Sequence, residues 1–431
     1  MRPGTRRVRT RSCTAVIRDA RAKNEIGVLL TNRPNFGIIV SQVNRLRKRL
    51  SRSFLSSPTF QLRSTMVSLR DVAEAAEVSA ATVSHVINGT RYVSPELTAR
   101  VQRALRDTGY KPNLVARSLR TQHSQTIALI TSDITNPFYP GVAQGANSFS
   151  EQYGYGLILC DIEEDSAYEE KTAFWLQQKR VDGLLFTSIH MDSPTILALH
   201  EDRYPFVLIN RKRKGLQTNY VGIDNRDGMA QSVRHLAGLG HRTVGFIAGP
   251  SLSTAAHERM DGFFNAAQEH GLEIHPSLVY NGSYRMDDGY GAVLHFLRVR
   301  PDITAIVAAN DMMAFGAWQC LHRLGIEVPL EVSIAGFDDI PPASMGPVGL
   351  TTVRGSQHTM GRLAARLLID TIEAETYQPP QQIVLPAPLI VRDTTAARRK
   401  RERLEKEPEV MARLGALLLQ TLQQPIDKEV S

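Results

Sequence analysis

The chain has 431 residues, 42% of them hydrophobic and 22% charged, with a formal net charge of +8. Length leaves room for about three domains with sizeable cores. The composition excludes a disordered chain, and no apolar run approaches the roughly 20 residues a bilayer span requires. The charge is unevenly placed. Residues 1–65 hold 13 Arg and 2 Lys against one Asp and one Glu, residues 66–125 carry a balance of +3, and residues 126–431 one of −8. Front and back should therefore meet different partners.

Residues 1–65 show no sustained period. They read as a flexible basic arm touching phosphates, as an Arg-rich transit peptide, or as sequence upstream of a true start at Met66. A disordered extension or a start at Met66 is the expectation, because Met66 stands just before the first helix signal. From Ser68 those signals are dense. SLRD has capping-box spacing, and Val72, Ala73 and Ala76 share one face of a helix ending near Glu77. Ser79 caps SAATVSHVIN, with Val83, Val86 and Ile87 inward and Ala81, Ser84, His85 and Asn88 opposite. A third helix starts at Ser94–Pro95–Glu96, runs to about Asp107 and stops at Gly109. Three short helices with so tight a first turn fit a helix-turn-helix over 66–112, or a generic three-helix bundle.

After Gln125, short β-branched runs alternate with amphipathic segments. TIALIT, YGLILC, GLLFTS, FVLIN, TVGFIAG, AIVAAN and SIAGF read as buried parallel strands, with helices such as Glu169–Lys179 and Asp227–Leu239 between them. Two such series predict two doubly wound α/β lobes over 126–393, with a cleft at the carboxyl ends of the strands. Arg398–Arg403 and the charges after it form a linker. Beyond it Met411, Leu414, Leu418 and Leu422 fall near one helical face, in a tail spanning 394–431. That stripe is too short for a coiled coil, so a helix docked on its own core competes with a tetramerising one.

The three cysteines are far apart, with no His at ligand spacing. The expectation is reduced thiols in a cytoplasmic protein, with neither metal nor cofactor. No GxGxxG follows the first strand, and Walker A, HExxH and GxSxG are missing, so an enzyme is not expected.

The run SLRDVAEAAEVSAATVSHVIN, then RYVSPELTARVQRALRDTGYKPNLVARSLR, resembles the DNA-binding headpiece of the lac repressor/gal repressor family. TNPFY, HLAGLGHRTVGFIAGP, ERMDGF, AANDMMAFGA, SIAGFDD and LTTV resemble its effector-binding core, in order, over about residues 68–393. The resemblance implies a cytoplasmic, homodimeric regulator, conceivably tetrameric, that binds a palindromic operator and answers to a sugar or related metabolite. Its expected action is repression. A periplasmic-type sugar-binding protein would share the core, but with an export signal and no helix-turn-helix.

By the same resemblance Ala80, Ala81 and His85 face base edges, Thr82, Ser84 and Asn88 support phosphate contacts, and Ser68 is a further DNA-binding candidate. Residues 113–125 become a hinge helix and linker, in which Leu119 wedges into the minor groove beside Ala116, Arg117, Ser118 and Arg120. The effector would meet Asn136, Phe138, Tyr139, Asn210, Arg211, Arg259, Tyr284, Asn310 and Asp338. Three positions depart from the pattern. Glu77 stands where a turn Gly is common, His85 where many relatives carry Arg, and Gly355 where several place a pocket Gln. A left-handed backbone at Glu77 would cost on the order of 1 kcal/mol.

Overall fold

The computed structural model describes residues 67–110, 123–162, 165–345, 348–398, 408, 410 and 412–416. The expected basic extension, 1–65, and the hinge residues Ala116, Arg117, Ser118, Leu119 and Arg120 lie outside the described residues. The chain divides into two units, one ending at Pro112 and one beginning at Asn113.

The first unit is three helices: α1 (Leu69–Ala75), α2 (Ala80–Asn88) and α3 (Pro95–Thr108). The Ser68 hydroxyl accepts from the Asp71 amide at 3.4 Å, and the Asp71 carboxylate accepts from the Ser68 amide at 2.7 Å. That is the capping box anticipated from SLRD; accepting the amide holds the Asp71 carboxyl below its usual range. Ser79 caps α2 by accepting from the Thr82 amide at 3.1 Å, and Ser94 caps α3. Val72, Ala73, Ala76, Val83, Val101 and Ala104 form the small core.

Glu77 is indeed left-handed, with φ of 50°. The turn is pinned from α3. Arg100 donates to the carbonyls of Ala76 at 2.6 Å and Glu77 at 3.2 Å. Its ion pair with the exposed Glu77 carboxylate adds little. Backbone hydrogen bonds to a charged donor thus offset the missing glycine.

The second unit begins with β1 (Thr126–Thr131), α4 (Phe138–Gln152), β2 (Gly156–Asp161), α5 (Ser166–Gln178), β3 (Gly183–Phe186), α6 (Pro194–Glu201), β4 (Phe206–Ile209) and β5 (Tyr220–Ile223). It continues through α7 (Asn225–Gly238), β6 (Val244–Ala248), α8 (Thr254–Glu269), β7 (Val279–Asn281), α9 (Met286–Val299), β8 (Ala305–Ala308), α10 (Asp311–Leu324), β9 (Ser333–Asp338) and β10 (Thr351–Arg354). It closes with α11 (Gln357–Glu373), β11 (Gln382–Leu385) and β12 (Leu389–Ile390).

Two six-stranded sheets result, ordered β11-β5-β4-β3-β1-β2 and β12-β10-β9-β8-β6-β7. The central strands β3, β4, β6, β8 and β9 are buried throughout, which is why they read as unbroken apolar runs. The expectation of parallel sheets needs one correction: β12 pairs antiparallel with β10. The lobes are also interleaved. The chain leaves the first sheet at Asp224, returns after Arg354 and leaves again between Leu385 and Leu389. Three crossings close together make a hinge region beside the cleft.

Near the C-terminal end, Leu414 is buried in the core, and Arg413 donates to the Leu324 carbonyl at 3.3 Å. Of the two readings of the tail, this part follows the docked one. Met411, Leu418 and Leu422 lie outside the described residues.

Candidate functional site

In the headpiece, α2 presents Ala81 exposed and Thr82, Ser84 and His85 half-exposed. Ala80 is partly buried and packs against the headpiece core, so Ala81 is the more open of the two alanines. The His85 ring is oriented by Thr90, whose hydroxyl lies 2.9 Å from Nδ1. The other ring nitrogen, Nε2, can serve as a single donor or acceptor rather than the fork an Arg supplies.

In the core, all nine residues expected to meet an effector line one cleft between the lobes, with about 320 Å³ of empty space. Thr187 and Ala255 line it too and were not anticipated. The first lobe brings Asn136, Phe138 and Tyr139 from the start of α4, Thr187 from the end of β3, and Asn210 and Arg211 from the end of β4. The second brings Ala255 and Arg259 from α8, Tyr284 from the turn before α9, Asn310 from the end of β8 and Asp338 from the end of β9. Strand ends and helix starts converge here because in a doubly wound sheet the crevice lies outside the carboxyl ends of the strands. A groove of about 1560 Å³ at the edge of the first sheet is larger, but no buried charged side chain lines it.

Charge is buried in this cleft. Arg259 and Arg211 are 2% and 4% exposed. The Arg259 guanidinium stacks 3.8 Å from the centroid of Phe337, donates to the Ala309 carbonyl and pairs with Asp338 at 3.2 Å. The pair is oblique, and Oδ1 of Asp338 is left without a well-formed hydrogen bond. Burial pushes the Asp338 carboxyl up to about 6, against the pull of Arg259. The Tyr284 ring lies 5.9 Å from each guanidinium, and its buried hydroxyl also lacks a well-formed hydrogen bond. Buried polar atoms without partners in a cleft mark where a ligand's polar groups would go.

The alternative roles of these residues hold at the same time. Asn310 caps α10, accepting from the Met313 amide at 3.0 Å, and donates to the Tyr284 carbonyl at 3.0 Å. Asp338 ends β9. Three lining residues have left-handed φ without being glycine: Asn210 at 60°, Tyr284 at 68° and Asp338 at 116°. Such strain, about 1–3 kcal/mol each, concentrates where side chains are aimed at ligands. Gly249 makes room for Tyr284, since a Cβ there would fall 2.6 Å from its ring.

Asn225, also unanticipated, joins the lobes. It is 1% exposed, accepts from Arg259 Nε at 2.9 Å, and donates to Asn210 Oδ1 at 3.2 Å and Glu258 at 3.0 Å. Across the cleft mouth the Met191 amide donates to the Leu252 carbonyl at 2.9 Å and the Lys212 amide to the Thr254 hydroxyl at 2.7 Å. At Gly355, a Cβ would come within 2.7 Å of the Asp338 carbonyl; Gln357 reaches that carbonyl instead. Among the described residues, no group of acidic, His or Cys side chains is placed to hold a metal ion.

Comparison with known proteins matches residues 124–393 to the family described as periplasmic binding proteins and the sugar-binding domain of the LacI family. Residues 68–113 match the bacterial regulatory proteins of the lacI family. The chain is 36% identical over 334 residues to the HTH-type transcriptional regulator CelR of Thermobifida fusca, covering 76% of this chain and 97% of that one. To the ribose operon repressor of Escherichia coli it is 33% identical over 317 residues, covering 73% and 95%. Among solved structures, a lac repressor dimer bound to operator and the anti-inducer ONPF matches with TM-score 0.69 and 26% identity over 77% and 99% of the chains. A CelR–cellobiose complex matches with 0.59 and 34% over 76% and 99%.

Proposed function

Because the chain belongs to the LacI family of DNA-binding transcriptional regulators, we propose that it represses transcription from a palindromic operator and is released or recruited by a small polar effector. The observation that carries this reading is the presence, in one chain, of a helix-turn-helix unit and a two-lobed cleft with buried charges. In this reading α2 enters the major groove. Ala81 offers contact to a thymine methyl, Nε2 of His85 reads one base edge, and Thr82 and Ser84 position the helix on phosphates. Leu119 and its neighbours form the minor-groove wedge of a hinge, so DNA shape carries much of the discrimination.

A palindrome requires a two-fold dimer. The solved lac repressor is a dimer on its operator, and here an edge of the first lobe suits self-association. Leu159 on β2 and Tyr168, Phe174 and Trp175 on α5 are 44–61% exposed, more apolar surface than an isolated chain ordinarily shows. The effector reading is a polyhydroxylated molecule, given aromatic rings beside amides and guanidiniums; the relative CelR has been solved with cellobiose. Its binding favours the closed pairing of lobes and shifts the hinge by as much as its affinity for the two states differs. The protein acts in the cytoplasm, where its DNA is, and performs no chemistry on its ligand.

His85→Ala tests the headpiece assignment. Selection from randomised duplexes should change at one or two base positions per half-site, with no change in the salt dependence of binding. An identical selection profile would remove His85 from the readers.

A further inference from the structure

The mouth of the cleft carries a fastening of its own. On the first lobe, the loops after β3 and β4 are tied into one jaw. The Lys214 amide donates to the Met191 carbonyl at 2.7 Å, and Arg213 Nε to the Ser193 carbonyl at 2.8 Å. The opposing jaw is the start of α8, the helix that also carries Ala255 and Arg259 into the cleft. Ser253 caps that helix, accepting from the Ala256 amide at 3.3 Å. The next hydroxyl, on Thr254, is therefore not needed as the cap, the usual task of a hydroxyl at a helix start. It reaches the other lobe instead, accepting from the Lys212 amide at 2.7 Å and donating to the Lys212 carbonyl at 3.3 Å. One hydroxyl meets both backbone groups of one residue across the cleft. The Met191 amide makes a second tie, donating to the Leu252 carbonyl at 2.9 Å.

Both ties run from protein to protein, so they favour closed lobes whatever the cleft contains. The Met191 tie is backbone alone, whereas the Lys212 tie depends on a side chain. We propose that Thr254 is a closing latch, whose hydroxyl sets how firmly the two lobes are held shut before any ligand enters. It is a positioning residue: by holding Lys212 it keeps Asn210 and Arg211, the two lining residues just before it, facing Ala255 and Arg259. On the effector reading of the cleft, a ligand shifts a balance the chain has already biased. The latch itself does not depend on that reading.

Hydrogen exchange of the full-length protein, read amide by amide without ligand or DNA, tests this in Thr254→Val and Thr254→Ser. Valine keeps the branched shape and removes the hydroxyl. The Lys212 amide loses its partner directly, so the informative reporter is the Met191 amide, whose own bond the substitution leaves intact. Its exchange should accelerate about fivefold or more in Thr254→Val and stay within about twofold of wild type in Thr254→Ser. Thr254→Ala, which also lacks the hydroxyl, should behave as the valine variant does. The His257 amide, bonded to the Ser253 carbonyl at 3.1 Å within the second jaw, and the Lys214 amide within the first should keep their rates. Unchanged Met191 exchange in folded Thr254→Val and Thr254→Ala overturns the proposal, as does an equal acceleration in Thr254→Ser. Acceleration of His257 and Lys214 along with Met191 also overturns it, because the jaws themselves would then be unravelling. So does a Met191 amide that is unprotected in the wild type. None of these outcomes bears on operator binding or on the effector reading, since neither DNA nor ligand is present.

Discussion

Arg259→Gln should destabilise the core by about 3–5 kcal/mol at neutral pH and abolish effector binding. Among the described residues the guanidinium is the one cation paired with Asp338, both groups being almost wholly buried. It also donates to Asn225 and the Ala309 carbonyl and stacks on Phe337. Glutamine fills part of the volume but leaves a carboxylate in low dielectric with no charge opposite. The loss should shrink on acidification. Folding raises the Asp338 pKa to about 6, so the folded state prefers the proton, and well below that value the carboxyl is neutral whether or not Arg259 is present. Urea titrations at pH 7 and pH 5 measure both parts. An equal loss at the two pH values would mean that Arg259 acts through packing rather than charge.

The second large effect is expected far from any ligand. Gly145→Val should cost about 3 kcal/mol or more, because a Cβ at Gly145 would lie 2.0 Å from the His358 carbonyl oxygen. The obstacle is backbone, so α4 and α11 must separate, and the matching approach of Gly361 to the Val142 carbonyl must open with them. Helix α11 is the segment that returns from the second lobe to the first, so prying it off α4 loosens the joint on which the lobes turn. Gly238→Ala is the control: no atom lies within 4 Å of a Cβ there. That change should be neutral or stabilising by up to about 1 kcal/mol. Thermal melts of the two proteins check the contrast.

The headpiece was legible in the sequence nearly to the residue, because its signals are local. Ser68, Ser79 and Ser94 cap helices, Gly109 ends one, and the apolar positions repeat at helical spacing. Most buried strands were legible for the same reason, but β5 and β10 were not read. Strand β2, expected to be buried from YGLILC, is a half-exposed edge strand because β1 covers only one of its sides. Edge strands β7, β11 and β12 were not legible, since each is short and half-exposed and carries no unbroken apolar run. Nor was the interleaving of the lobes: which sheet α11 and β11 join is decided by contacts far apart in sequence, such as the Gln381 amide donating to Asn219, 162 residues away.

In the cleft, the resemblance located nine lining residues that physical patterning alone could not have separated from caps and strand ends. Thr187 was within reach, because it follows a buried strand and the crevice lies at such ends. Ala255 has no polar group to mark it. Asn225 resembles any helix-start amide, and its role depends on Arg259, Asn210 and Glu258 meeting in space.

The most direct measurement is selection of duplexes from a random pool by the intact protein, followed by binding to the enriched sequence and to random DNA at one salt concentration. Two inverted half-sites should emerge, bound about 10³-fold or more tightly than random sequence. Enrichment of no sequence, or equal affinity for both, would contradict operator recognition by this chain.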